Sequence, residues 1–425
     1  MKNLENITSN VVIGSAFGDE GKGLITDYYA SKNPNSFVVR FNGGSQAGHT
    51  VVSPTGERHV FNSFGSGTLI GSKTYLSQFF IVNPLTFLKE FDRLKSLNVS
   101  DIPTSILPIY IDPRAIVTTP YDMLINQMIE TVRGNTNHGS CGLGINETIE
   151  RSLHDEFVLY SSCFDFKEKY LNSILQDTLQ KIKKFWVPRR LKELQLDIST
   201  VTAELQKLQE HLENPEIIKN WIESVFEFRK YVKFEKLHIL KENNLDAHFI
   251  FEGAQGLLLD QDRGLSFPHL TRSNTGIKNV IAIAREIKIP KLDITYVSRI
   301  YATRHGSGPL PNEIKNLPYL GAYENTNVLN TFQGNFRYGI LDINLLSDTI
   351  KDDLRYVNFE FPEVSVTLAL TCMDQADNVF RYIYNGKETF SNKEDFIKNV
   401  GQLTGISRFL LSYGPTRTTI KTYLL

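Results

Sequence analysis

A β-branched run, Val11 to Ile13, leads directly into Gly14-Ser-Ala-Phe-Gly-Asp-Glu-Gly-Lys-Gly23, and the helix-like stretch LITDYYASK follows. Strand, glycine-rich loop and helix in that order is how α/β proteins build phosphate sites. Glycines such as Gly18, Gly21 and Gly23 let backbone N–H groups approach phosphate oxygens, and the helix N-terminus adds a favourable dipole. Lys22 supplies a point positive charge, and the Asp19 carboxylate suits either Mg²⁺ or proton abstraction. The loop is P-loop-NTPase-like but not a Walker A motif. Ala16 stands where that motif has its first Gly, and Gly23 replaces the Mg²⁺-binding Ser/Thr.

Further apolar runs end in similar loops. Phe37 to Phe41 runs into a second glycine loop, His248 to Phe251 ends in EGAQG, and Ile294 to Thr303 in RHGSGP. Val364 to Thr371 ends in CMD and Phe409 to Ser412 in YGPT. In open α/β sheets ligands lie at the carboxyl ends of the strands, so these loops are expected to converge on one site. The stretch from about 165 to 245 differs. It is rich in Lys, Glu, Leu and Ile, and Leu171, Ile174, Leu175, Leu179 and Ile182 recur at helical spacing. The expected fold is α/β, a large mostly parallel central sheet with surrounding helices. One domain spans 1–425, and 165–245 is a helical subdomain within it.

Composition narrows the function. A formal net charge of −1 gives no global field toward nucleic acid or anionic membrane, so neither is expected as a partner. The 3 cysteines are far apart with no CxxC spacing, which argues against a disulfide framework or a zinc site and fits a reducing compartment. The opening MKNLENITSN has no apolar core of a secretory signal, and no stretch approaches a membrane span. A cytoplasmic protein is expected.

The second loop reads Arg40-Phe41-Asn42-Gly43-Gly44-Ser45-Gln46-Ala47-Gly48-His49-Thr50. A His among glycines can donate a proton to an oxygen that is gaining charge. Here the order of motifs resembles the adenylosuccinate synthetase family, which carries GDEGKG and then R-F/Y-x-G-G-x-N-A-G-H-T. Phe251 to Asp260 (FEGAQGLLLD) is similar to the family's FEGAQGTLLD, and Leu270 to Thr275 (LTRSNT) to V-T-S-S-N-T. Thr303 to Pro309 resembles T-R-V-G-x-G-P, and Ser412 to Pro415 resembles S-x-G-P. The matches are collinear from about residue 11 to 418.

The resemblance implies a ligase that joins L-aspartate to a 6-oxopurine nucleoside monophosphate through a 6-phosphoryl intermediate, with a nucleoside triphosphate as energy donor. Asp19 would take the purine N1 proton and bind one Mg²⁺ per subunit, with the Gly48 carbonyl as a second metal ligand. His49 would be the acid, Lys22 would hold the triphosphate, and Gln255 would contact the base. Thr271 and Ser140 would hold the 5′-phosphate. Gln46, Thr50, Cys141, Arg304, Arg337, Asp374, Ser412 and Gly414 fall at the remaining substrate- and nucleotide-binding positions. A homodimer is the family expectation.

Four stretches depart from the family pattern. The arginine-rich loop that grips aspartate is Phe332 to Asp342 here, and only Arg337 remains of its cluster. The guanine-reading T-K-L-D is Thr371-Cys372-Met373-Asp374, which opens the choice between GTP and ATP or dATP. The usual Asn of the histidine loop is Gln46. His138 to Glu147 stands for the phosphate loop, Cys141 replaces a Thr, and the family's cross-subunit Arg has no counterpart after Arg151. Such changes resemble the phage branch that makes 2-aminoadenylosuccinate from dGMP, yet that branch replaces the loop Asp, and Asp19 is retained. IMP is therefore favoured, with GMP or dGMP and ATP or dATP as the alternative. A purine-nucleotide-binding protein that does not ligate is the reading from another class.

Overall fold

A computed structural model describes residues 8–33, 35–97, 106–133, 140–195, 202–244, 246–263, 267–322, 336–357 and 363–425. Residues 138–139 of the expected phosphate loop and 332–335 of the expected arginine loop lie outside these.

Ten strands form the central sheet. Across it the order is Ile420–Leu424, Arg408–Ser412, Glu363–Thr371, Lys291–Arg299, Thr8–Gly14, Phe249–Gly256, Phe37–Arg40, Lys73–Leu76, Ile109–Ile111 and Val232–Phe234. Every neighbouring pair is parallel except Ile420–Leu424 on Arg408–Ser412. Parallel strands buried on both faces read as continuous apolar runs, as in the fully buried FVVR of Phe37–Arg40. Because the strands share a direction, their carboxyl ends share an edge, and the glycine loops emerge there together.

Helices cover both faces. The Lys22–Lys32 helix packs Ile25, Tyr28 and Ala30 against Val12, Ile250, Val297 and Ala369. Asn83 caps the Pro84–Ser96 helix by accepting from the Leu85 and Thr86 N–H groups, and Pro84 occupies the first turn, where its missing N–H costs nothing. Between 165 and 245, helices run over Glu168–Lys181, Val187–Glu193, Ala203–Glu213, Glu216–Arg229 and Leu237–Asn243. Leu171, Leu175 and Leu179 are fully buried there, together with Trp186 and Val225. One element departs from the expected helical stretch. Val232–Phe234 is a strand that pairs with Ile109–Ile111 and closes one edge of the sheet. No helix among the described residues is long and apolar enough to cross a membrane.

Candidate active site

The glycine loop is pinned from within by Glu20. Its carboxylate accepts the Ala16 and Gly18 N–H groups at 2.8 and 3.0 Å and pairs with the Lys22 ammonium at 3.0 Å. Gly18, Asp19 and Gly21 turn through the left-handed region, at φ 95°, 60° and 100°. Gly21 then starts the Lys22–Lys32 helix without a side-chain cap, so first-turn N–H groups are open to an anion. Asp19 is half-buried in this turn. Burial raises its carboxyl pKa, against the opposing charges of Arg299 and Lys22.

The histidine loop packs directly on that helix. A Cβ on Gly23 would lie 2.8 Å from the Thr50 carbonyl oxygen and 3.1 Å from the His49 Cβ, so only glycine allows this approach. Lys22 consequently acts electrostatically on both Asp19 and His49.

His49 Nδ1 lies 2.6 Å from Glu252 Oε1. Glu252 also accepts the Ser66 N–H at 3.1 Å and the Ser66 hydroxyl, and its other side faces Arg40 Nε at 3.8 Å. Burial drives His49 down to about 4, with Arg40 and Lys22 assisting and Glu252 opposing. Burial also works to raise Glu252, but His49, Arg40 and Ser66 overcome it and bring that carboxyl to about 2. The resting imidazole is therefore neutral, donates Nδ1–H to Glu252 and offers Nε2 as an acceptor. Nε2 is buried and has no hydrogen-bond partner, and so is Gln46 Oε1 in the same loop. Buried polar atoms without partners call for an explanation, a catalytic role among them, and of these two residues Gln46 lines the cavity.

A cavity of about 590 Å³ opens beside this cluster. It is lined by Gln46, Ser140, Cys141, Gln255, Thr271 and Arg304 among the expected binding residues. Gln255 takes a left-handed φ of 63° and lies against Gly18. Asn42 and Ala254 stitch the two loops with reciprocal bonds: Asn42 Nδ2 donates to the Ala254 carbonyl at 3.0 Å, and the Ala254 N–H donates to Asn42 Oδ1 at 2.7 Å. Thr50 belongs to the His49–Val52 strand of a small hairpin, and Gly48 is exposed just before it. Burial raises the Cys141 thiol to about 11, which makes it a poor nucleophile.

Asp374, Ser412 and Gly414 sit at the carboxyl ends of Glu363–Thr371 and Arg408–Ser412, on the other side of the glycine loop from the cavity. Asp374 is exposed, whereas Ser412 is buried and its hydroxyl donates to the Gly414 carbonyl at 2.8 Å. Both expected binding arginines are engaged inside the chain. Arg304 donates to the Ser307, Pro309 and His269 carbonyls at 2.7–3.0 Å, and burial lowers its pKa to about 10. Arg337 grips the Glu313 carboxylate with two nitrogens and the Gly306 and Gly308 carbonyls with a third.

Three contributors were not singled out in the sequence. Glu252 orients His49, Glu20 braces the glycine loop, and Arg272 lines the cavity next to Thr271 while pairing with Glu150. Glu252 had a signal, an acid inside the apolar run FIFEGA, where burial demands a partner. Among the described residues no group of three His, Cys, Asp or Glu side chains could hold a metal.

The sequence model of the adenylosuccinate synthetase family matches residues 11–353. The adenylosuccinate synthetase of Syntrophobacter fumaroxidans is 33% identical over 306 residues, 72% of this chain and 65% of that protein. The enzyme of that name from Picrophilus torridus is 32% identical over the same shares. The chain thus spans just under two thirds of the length of these curated relatives. Among solved structures, the fully ligated adenylosuccinate synthetase of Plasmodium falciparum shares the fold, with a TM-score of 0.68 at 16% identity over 98% of this chain and 99% of that one. Succinoaminodeoxyadenylate synthetase of cyanophage S-2L, bound to dGMP and dATP, gives a TM-score of 0.62 at 13% identity over 98% and 95%. A glycine loop braced by its own glutamate, a histidine backed by a buried carboxylate, and a family match over most of the length lead to one assignment: the chain belongs to the adenylosuccinate synthetase family.

Proposed function

We propose that the protein is a ligase that joins L-aspartate to C6 of a 6-oxopurine nucleoside monophosphate, IMP first among them, while a nucleoside triphosphate is split to diphosphate and phosphate. The product with IMP is adenylosuccinate. The observation that carries this reading is the His49 imidazole, fixed at Nδ1 by Glu252 and unpartnered at a buried Nε2, packed against the phosphate loop. A pure binding module has no need of an imidazole oriented by a buried carboxylate and packed on this loop.

The chemistry follows from the groups. A 6-oxo oxygen is a poor leaving group until it is phosphorylated. Asp19, raised by burial, is suited to accept the N1 proton, which builds charge on O6. O6 attacks the γ-phosphorus, and Lys22 with the open first-turn N–H groups spreads charge over the transferring group. His49 rests neutral, but an approaching phosphoryl oxygen favours the imidazolium, so Nε2 takes up one proton from solvent as the anion arrives and then donates it to that oxygen. The amine of aspartate then displaces phosphate from C6. Asp19 and the Gly48 carbonyl are oxygen donors of the kind Mg²⁺ takes beside phosphate oxygens, one ion per subunit. Bound Mg²⁺ would withdraw charge from those phosphate oxygens.

The same reading takes 1–425 as one domain with a helical subdomain at 165–245. It makes the protein a homodimer in the cytoplasm, in keeping with three free cysteines. A second substrate pair, dGMP or GMP with ATP or dATP, is favoured by Cys372 in the base-reading turn. That thiol packs on Tyr301 where the family pattern has a lysine. The test is to incubate the protein with aspartate and Mg²⁺, offering IMP or dGMP and GTP or ATP in every pairing. A succino-nucleotide and free phosphate are expected, fastest with IMP. Absence of product in every pairing overturns the reading.

A further inference from the structure

Asp19 holds a left-handed backbone, φ 60°, which costs a residue with a Cβ on the order of 1 kcal/mol. Such a conformation persists where its surroundings over-determine it. The surroundings here are specific. Arg299, the last residue of the Lys291–Arg299 strand, donates Nε–H to the Asp19 carbonyl oxygen at 2.7 Å. The same guanidinium donates from NH1 to the Tyr301 hydroxyl at 3.0 Å. That hydroxyl in turn donates to Gln375 Oε1 at 2.8 Å, and Tyr301 is 2% exposed. The rings of Tyr301 and Phe336 each lie 5.6 Å from the guanidinium carbon. The next peptide is held from the neighbouring strand, where Thr371 Oγ1 donates to the Glu20 carbonyl at 2.8 Å. Two consecutive carbonyls of the phosphate loop are thus gripped from two adjacent strand ends.

We propose that Arg299 is the positioning residue that aims the Asp19 carboxylate, with Tyr301 fixing the guanidinium plane and tying it to the Cys372–Gln375 turn. The proposal rests on the role given to Asp19 above. Arg suits it because a planar fork binds two acceptors at once with little freedom to lose. A misplacement of about 1 Å at a reacting group can cost roughly a hundredfold in rate. The link also runs from the strand end that meets the triphosphate's base to the group that handles the purine proton. Loss of Tyr301 should therefore be felt at Asp19.

Three variants and three measurements test this. Arg299→Met should lower kcat about a hundredfold, with KM for both nucleotides within about threefold and an unchanged melting temperature. Arg299→Lys should regain at least about tenfold of that loss, since an ammonium can still donate to the carbonyl. Tyr301→Phe, which keeps the ring, should lose about tenfold in kcat. Hydrogen exchange of the 18–22 amides should speed up in Arg299→Met, and this readout holds even in a protein with no ligase activity. A wild type that makes no product defeats the proposed function. Unchanged exchange, or a kcat for Arg299→Met within about threefold of an active wild type, defeats the positioning role.

Discussion

The His49 corner and the Arg337 corner offer an instructive contrast. Both carry residues at family binding positions, and both are dense in hydrogen bonds. At His49 the bonds stop one short, leaving Nε2 and Gln46 Oε1 buried with nothing to bind. At Arg337 the guanidinium is filled by Glu313 and two carbonyls, and its ladder neighbour Arg304 by three more. Gln46 lines the cavity and keeps an acceptor free for a polar partner, whereas the guanidiniums of Arg337 and Arg304 are already engaged within the chain. By that measure the His49 corner keeps acceptors open for a polar partner, and a dicarboxylate at Arg337 would have to compete with a carboxylate already in place.

The largest effect that can break this contrast is on the pair proposed to be catalytic, Asp19 and His49. Asp19→Asn should abolish turnover and leave the melting curve in place, and His49→Asn should cost about 10²–10⁴-fold in rate. Near-normal rates in either variant would remove the distinction between the two corners. Glu252→Gln should be costly in a second way. It leaves Arg40, which is fully buried, facing an amide, so stability should fall by about 3–5 kcal/mol as read by chemical denaturation.

The pair also sets a pH dependence. His49 falls from an ordinary 6.5 to about 4, so between those values the unfolded chain binds the extra proton and the folded one does not. Stability from this group is complete above pH 6.5 and is lost as pH falls toward 4. Glu252, lowered from 4.5 to about 2, adds a loss in the same direction at lower pH. The decline between pH 6.5 and 4 should be shallower in His49→Asn, measured by thermal melts across that range.

Next in size is Gly23→Ala. A methyl placed against the Thr50 carbonyl should destabilise by about 1–3 kcal/mol, and it should disturb activity more than stability because it displaces His49. The smallest expected effect is at the other corner. Arg337→Met removes a partly exposed pair, so it should cost no more than about 1 kcal/mol and raise KM for aspartate less than about threefold. A hundredfold rise in that KM would show that the Glu313 pairing yields to substrate and would erase the contrast.

Much of the architecture was legible because parallel strands advertise themselves twice, as unbroken apolar runs and as glycine loops where they end. The convergence of Gly14–Gly23, Gly43–Thr50 and Phe251–Gly256 on one edge follows from that alone. Strand limits were less legible. The strand from Phe249 runs past Glu252, breaks register with Thr8–Gly14 at Gly253-Ala254-Gln255 and pairs again at Gly256 with Gly14, so residues that read as loop fall inside a strand. Val232–Phe234 has three residues, too few for alternation to show inside a helical stretch. Partners were the least legible. Glu252 meets His49 from 203 positions away and Arg299 meets Asp19 from 280, separations at which no local spacing carries information.

The reciprocal amide pair between Asn42 and Ala254 has a mechanical consequence. It ties the turn that carries His49 to the strand end that carries Gln255, so the two move together. Any rearrangement of this pocket must carry both walls together, as a single rigid jaw.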